Sequence, residues 1–338
     1  MNLNLKIMKA IVKMFAFFAT MAGVLSCNQI ERSELQMNES DDLLISTKSF
    51  GQKDPILTVY VETNDVNPLN AGDYTMPDGT SFVDIVELFA ANIHKDGNGN
   101  PTLYLNDKLT NVLENGGAAT YVAPLQAKGI KVLLTILGDW QGIGVANMTD
   151  EQSTQFAAIL AYAVNRYGLD GVGFDDEYAN YSGSLVSDSF AKIIKKLHAL
   201  MPSDKLITVF DWGNTSQIDA AASACIDFAY HGYFGSYYTS SGITGMTTNK
   251  WSPISFNLGN YNSTNNAESY AGSAFDDGYG AMMCFNLRTR NDNDPLPLFQ
   301  ALSNGAYDGS VISCSNGNRA RTAGSVASGY TITYAMAQ

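Results

Sequence analysis

Leu169-Asp170-Gly171-Val172-Gly173-Phe174-Asp175-Asp176-Glu177-Tyr178 is an apolar run that ends in three consecutive carboxylates. The residues on either side decide what kind of fold holds it. Upstream, Thr149 with Gln152 three residues later makes a capping-box signature. Phe156, Ile159, Leu160, Ala163, Val164 and Tyr167 then fall on one helical face, and Gly168 supplies the stop. Downstream, Phe190, Ile193, Ile194 and Leu197 share the face of a second helix, which Pro202 ends. A strand set between two amphipathic helices is the repeating unit of an α/β protein.

The same alternation extends outward in both directions. Short apolar runs occur at Ile56–Glu62, Val83–Asn92, Ile130–Leu137, Gly171–Glu177, Leu206–Trp212, Ile226–Tyr233, Ser252–Leu258 and Gly280–Leu287. Less regular helical patterns lie at Thr110–Lys128 and Asn265–Asp277. Eight strands with intervening helices predict a TIM (β/α)8 barrel, one domain over residues 55–338 with some irregular helices. An open doubly wound sheet is the alternative. It lacks support, because no G-x-G-x-x-G follows the first run and no P-loop is present. The Ser/Gly/Thr-rich tail Gly309–Gln338 ends in a β-like stretch, Tyr330–Tyr334, with no obvious place in the barrel.

Alternate side chains of a strand share a face. Gly173, Asp175 and Glu177 therefore point one way, and Val172, Phe174 and Asp176 the other. In a barrel the first set reaches the C-terminal mouth, where such enzymes keep their sites. Two residues along a strand span about 6.6 Å, so the two carboxyl groups can interact. Repulsion between them raises one pKa, which makes Glu177 a candidate general acid beside an ionised Asp175. A helix cap or a metal-binding acid cluster is the alternative reading of Asp-Asp-Glu, disfavoured because the acids follow a strand rather than precede a helix. Asp170, on the outward phase, is expected to tie the base of the strand. Other strand ends nominate Glu62, Asn92, Trp140, Gln141, Asp211, Asn257 and Asn286 as substrate-binding candidates, whereas Trp212 and Trp251 read as packing.

The chain of 338 residues is 45% hydrophobic and 16% charged, enough for a sizeable core. Its net charge of −13 disfavours nucleic acid and anionic membrane surfaces as partners. Abundant Tyr and Phe suit a neutral, sugar-like ligand but are equally common in secreted proteins generally. Cys225, Cys284 and Cys314 form no C-x-x-C pair and the three His are scattered, so no metal site is expected. At the start, Lys6 and Lys9 precede, and Lys13 falls near the beginning of, an apolar run from Ile11 to Val24, which is short for a membrane span. It ends in Val24-Leu25-Ser26-Cys27, a sequence resembling a bacterial lipobox. Residues 1–26 thus read as a lipoprotein signal peptide, with Cys27 the lipidated residue. An ordinary export signal with a coincidental Cys is the alternative. Residues 27–54 are polar and aperiodic, a flexible tether. The expected location is the bacterial outer membrane, on the periplasmic side or the cell surface, with no membrane contact beyond the lipid.

The stretch DGVGFDDEY resembles the D-G-x-D-x-D-x-E signature of glycoside hydrolase family 18, and most closely the endo-β-N-acetylglucosaminidases of the endoglycosidase H type. Thr58–Asp65, Phe89–Ile93, Gly129–Gly142, Phe228–Gly235 and Asp276–Leu287 are similar as well, so the resemblance covers nearly all of residues 56–300. It implies hydrolysis of the β-1,4 bond in the chitobiose core of N-linked glycans, with high-mannose chains the expected class. A chitinase of the same family, or a non-catalytic sugar-binding lipoprotein, is the alternative. The implied mechanism is retaining and substrate-assisted, with the 2-acetamido oxygen as nucleophile, so no cofactor is required. The resemblance makes Glu177 the proton donor, Asp175 the partner of the acetamido N–H, and Tyr233 the aromatic hydroxyl that steadies that group. The chain departs from the signature at Gly173, where the family carries Asp. That change is expected to leave Asp175 without an acid below it and ionised to lower pH, unless Gly173 serves packing.

Overall fold

The runs around the 169–178 stretch separate cleanly into an outward apolar face and an inward mixed one, and this alternation builds a barrel. The computed structural model describes residues 53–181, 183–259, 264–287, 294–316 and 324–338. The strands of its main sheet are β1 (Ile56–Glu62), β2 (Ile85–Lys95), β3 (Pro101–Leu105), β4 (Lys131–Gly138), β5 (Gly171–Asp175), β6 (Leu206–Asp211), β7 (Phe228–His231), β8 (Trp251–Ser252), β9 (Ser255–Asn257), β10 (Ala281–Leu287) and β11 (Tyr330–Ile332). The barrel order is β9-β10-β1-β2-β4-β5-β6-β7-β8, with every neighbouring pair parallel. Strands β8 and β9 are two pieces of one run. Pro253, which has no N–H to give a ladder, lies between them. Nine strand pieces therefore fill eight barrel positions.

The outward residues Leu57, Val59, Val86, Leu88, Val132, Leu134, Val172, Phe174, Ile207 and Val209 are buried under the surrounding helices. Those helices are α1 (Asp107–Leu113), α2 (Gly117–Tyr121), α3 (Ala123–Gln126), α4 (Asp150–Tyr167), α5 (Ser189–Leu200), α6 (Ala220–Ala224), α7 (Thr264–Asp276) and α8 (Leu296–Ala306). Helix α4 starts on the Thr149–Gln152 capping box and stops at Gly168, whose φ is +63°. Such a box is worth about 1 kcal/mol. The other connections are uneven. The 110–128 region holds three short helices rather than one, and β1 and β7 are followed by only short 3-10 turns. Among the described residues, no helix is long and apolar enough to cross a membrane.

Strand β2 runs past Asn92 to Lys95 and doubles back antiparallel into β3, and the tail strand β11 pairs with the outer edge of β3. This places the tail, which the sequence pattern left unassigned. At the barrel base one device recurs. Asp84, Asp170 and Asp227 each stand just before a strand and accept the N–H of Leu57, Val132 and Ile207 at 2.8, 3.0 and 2.8 Å. Asp170 also pairs with Lys131 at 3.1 Å, as a base-tying residue should. Cys225, Cys284 and Cys314 are free thiols. Cys27 and the leader lie outside the described residues.

Candidate active site

Inward side chains fill the barrel in layers. A lower apolar layer includes Ile56, Ile85, Leu133 and Leu206. Above it lies a polar layer of Thr58, Glu87, Thr135, Thr208 and Tyr230, all fully buried. Thr58 and Tyr230 share a hydrogen bond of 2.9 Å. The top layer opens into a cleft of about 610 Å³ at the C-terminal ends of the strands. Tyr60, Glu62, Asp175 and Glu177 supply its polar floor and wall. Phe89, Phe210, Phe234 and Phe285 supply an aromatic wall, and Trp212, Tyr233 and Tyr178 the rim. The wall is continuous: Phe234 stacks on Phe210 at 5.8 Å and on Phe285 at 5.4 Å.

Asp175 is the last residue of β5 and is buried. Its Oδ1 and the Tyr60 hydroxyl are both buried with no hydrogen-bond partner. Burial pushes the Asp175 carboxyl well above the usual range, and the charges of Glu177, Asp176 and Glu87 push it further. The sequence reading of an ionised Asp175 beside a protonated Glu177 is therefore incomplete: in the free protein both carboxyls are raised. Glu177 is half-buried, and its carboxyl is raised by burial and then by Asp176. Asp176 points away from the barrel and is occupied. It accepts hydrogen bonds from Tyr181 and from the Asn214 backbone and side chain, the latter two at 2.8 Å.

Beyond β5 the chain is held by the end of β4. Gly138 N–H donates to Glu177 O at 3.0 Å, Trp140 N–H to Tyr178 O at 2.6 Å, and Gly142 N–H to Ala179 O at 2.9 Å. A Cβ on Gly138 would lie 2.5 Å from Ala179 N and closer still to Glu177 O, so only glycine permits this approach. Trp140 and Tyr178 both adopt left-handed backbone, each with φ of +56°, and their rings meet at 5.6 Å. Both are exposed.

The structure brings Glu177, Asp175, Tyr233 and Glu62 to one cleft. Tyr233 is exposed at the rim, its ring edge-on to Trp212 at 5.2 Å. The remaining candidates stand elsewhere. Trp140 and the exposed Gln141 lie beside Tyr178, outside the cleft lining. Asn92 donates to Gly138 O at 3.3 Å, bracing β2 against β4. Asp211 accepts from Thr215, Ser241 and the Gly242 N–H, fixing the loop after β6. Asn257 accepts from Asn286 at 3.1 Å and from Gly259 N–H. Trp212, read from sequence as packing, instead lines the cleft, while Trp251 is buried as expected.

Sequence reasoning missed Tyr60, the Phe wall and Glu87. Period-2 counting back from Glu62 and forward from Ile85 marks Tyr60, Glu87 and Phe89 as inward. A charged residue inside an apolar strand was the available signal. Glu87 also overturns the expectation that Gly173 leaves Asp175 alone. Thr135, Gly173 and Thr208 are register neighbours on β4, β5 and β6. Glu87 accepts from both threonines, Oε2 from Thr135 at 2.9 Å and Oε1 from Thr208 at 2.5 Å. Its carboxyl thus lies over Gly173. A Cβ there would fall 2.6 Å from Oε1 and closer still to Oε2. An acid does sit below Asp175, delivered by a different strand.

No protein-family model matches the chain. It is 36% identical over 262 residues to an endo-beta-N-acetylglucosaminidase of Flavobacterium sp., covering 75% of this chain and 81% of that one. It is 32% identical over 272 residues to endo-beta-N-acetylglucosaminidase F1 of Elizabethkingia meningoseptica, covering 75% and 78%. Its fold is similar to Bacteroides thetaiotamicron EndoBT-3987 crystallised with a Man5GlcNAc product, with a TM-score of 0.63 and 30% identity. That match covers 79% of this chain and 64% of the other, so the chain spans somewhat less than two thirds of that protein's length. With this identity and coverage, on a barrel whose mouth holds the carboxyl pair, the chain belongs to the endo-β-N-acetylglucosaminidases of glycoside hydrolase family 18.

Proposed function

We propose that the protein cleaves the β-1,4 bond between the two core N-acetylglucosamine residues of N-linked glycans, with retention and with the substrate's own acetamido oxygen as nucleophile. The observation that carries this reading is the buried, unpartnered Asp175 Oδ1 at the cleft floor, two residues from the half-buried Glu177. A carboxyl buried at the cleft floor is raised toward its protonated form, which is a poor nucleophile. It is a good acceptor for an amide N–H, which would complete its empty hydrogen-bonding position. Glu177, whose carboxyl partial burial and Asp176 raise, donates its proton to the leaving oxygen and takes one back from the attacking water. As positive charge develops on the oxazolinium, an anionic Asp175 becomes favourable beside it. Tyr233 at the rim supplies a hydroxyl toward the acetamido group. The aromatic wall offers faces for apolar sides of the sugar rings.

High-mannose chains are the proposed class. Support comes from EndoBT-3987, described in complex with Man9GlcNAc2Asn at 29% identity to this chain. Incubation with ribonuclease B, a high-mannose glycoprotein, tests the reading. The expected product is protein bearing a single N-acetylglucosamine and a released glycan ending in another. Unchanged glycoprotein mass, with turnover of chitin oligomers instead, would favour a chitinase. We further propose export and lipid anchoring through Cys27, on the strength of the basic and apolar leader ending in Val24-Leu25-Ser26-Cys27. Alkyne fatty-acid labelling should mark the wild-type protein and not Cys27→Ser. Unlabelled, freely released wild-type protein would refute it.

A further inference from the structure

We propose that Glu87 is a positioning residue that keeps one proton in the space beneath Asp175, taking over from β2 the task of the acid missing at Gly173. The inference rests on the role given to Asp175 above. Its geometric basis is the exchange of space: Gly173 has no side chain, and the Glu87 carboxyl fills the gap, held by Thr135 and Thr208 from the strands flanking Gly173. Both threonines are fully buried, as is Glu87. No relaxed arrangement places a side chain on residue 173 while Glu87 stays where it is.

The surroundings make this carboxyl hold a proton. Two hydroxyl donors satisfy only part of a carboxylate, and among the described residues no ion pair forms with it. The titratable groups facing it are Tyr60 from β1, Tyr230 from β7 and Asp175 from β5, with Asp176 and Glu177 beyond. The two tyrosines are held well above their usual range, so they stay neutral. Burial pushes Glu87 up to about 7, against the lowering effect of Thr208 and Thr135. Two coupled carboxyls in one dry layer share protons as a pair. When Asp175 faces the oxazolinium as an anion, the proton stays on Glu87. The pair holds a single shared proton throughout, so with that proton on Glu87 it carries one negative charge rather than two.

A transplant tests this. Gly173→Asp alone crowds Glu87, and Glu87→Ala alone removes the acid below Asp175. Combined, they return the carboxyl to β5. Each single change is expected to lower kcat/KM on ribonuclease B by about tenfold or more, and the pair to recover most of the loss. Glu87→Ala with Gly173→Asn fills the same space without an ionisable group and should remain as poor as Glu87→Ala. Equal recovery by Asn, or none by Asp, overturns the proposal. Glu87→Gln covers the case in which the larger changes fail to fold. Removing a neighbour that turns anionic lowers the pKa values of the carboxyls above it, so both limbs of the pH–rate profile should move to lower pH. An unmoved profile also overturns the proposal. If the wild-type protein cleaves no glycan, the reading of Asp175 fails instead. Carboxyl-carbon NMR then still decides: the Glu87 midpoint should fall in Asp175→Asn, and an unchanged midpoint refutes the coupling.

Discussion

Glu177 and Asp175 share one strand direction but not one environment. Asp175 is buried at the polar floor of the cleft, while Glu177 is half in the open cleft with its backbone carbonyl tied to Gly138. The difference assigns their work, since the half-buried acid meets the water of the cleft more freely than the buried one. Glu177→Gln keeps the shape and removes the proton. It should cut kcat by about 10²–10⁴-fold while retaining affinity for a high-mannose glycopeptide. A loss smaller than about tenfold would place the acid elsewhere. Both residues were legible in the sequence because three carboxylates closing an apolar strand have few structural uses. Glu87 was not used, because its relation to Gly173 exists only once β2, β4, β5 and β6 close into a barrel. Period-2 reasoning gives which way a side chain points, not whose space it enters. The Asn and Asp candidates at other strand ends show the same limit. Asn92, Asp211 and Asn257 stand at the mouth, but their polar atoms are used on neighbouring backbone and loops.

At the scale of elements, the site depends on how the ends of β4 and β5 cross. The bonds from Gly138, Trp140 and Gly142 to residues 177–179 continue the ladder past the last formal strand residue. Gly138→Ala sets a methyl against two backbone groups that belong to the Glu177 segment. Neither is a flexible side-chain end, so the crossing itself must move. We expect kcat to fall at least about tenfold, since small misplacement of an acid is costly. The melting temperature should drop only a few degrees, because the packed faces of β4 and β5 lie below the crossing. Full activity at an unchanged melting temperature would show that the crossing does not place the acid. The barrel strands and helix α4 were readable because apolar period and capping chemistry agree there. The β2–β3 hairpin is legible too, since Asp96-Gly97-Asn98-Gly99-Asn100 is a strong turn signal. Asp96 accepts from the Asn98 and Asn100 N–H groups at 2.8 and 2.9 Å to form that turn. The tail strand could not be placed from sequence, since its partner β3 exists only by virtue of the hairpin.

For the whole molecule, the buried acids couple folding to pH in a direction opposite to most proteins. A carboxyl whose folded pKa lies above its unfolded value binds more protons in the native state between the two. Its stabilising contribution is complete below the unfolded pKa and is lost as pH rises through the folded one. Glu87 moves from 4.5 to about 7 on folding, through burial. The window in which its contribution disappears is therefore about pH 4.5 to 7, and its size is on the order of 3 kcal/mol. Asp84 and Asp175, also raised by burial, act in the same sense. Surface acids lowered by bonds, such as Asp150 with Lys196 and Asp219 with Lys195, act oppositely but at more acid pH. They are exposed, so their influence is screened. A net charge of −13 adds self-repulsion as pH rises. The melting temperature of the wild-type protein should thus fall between pH 5 and 7.5 by several degrees (about 2–4 °C per kcal/mol). Self-repulsion alone would give the same trend, so the discriminating protein is Glu87→Gln. It keeps the shape but has no proton to lose, and its melting temperature should vary less over this range. The two curves should converge toward the acid end and separate toward the alkaline end, with Glu87→Gln the higher there. Parallel curves would mean that Glu87 does not titrate in the folded state near neutrality, and that general charge repulsion sets the pH dependence.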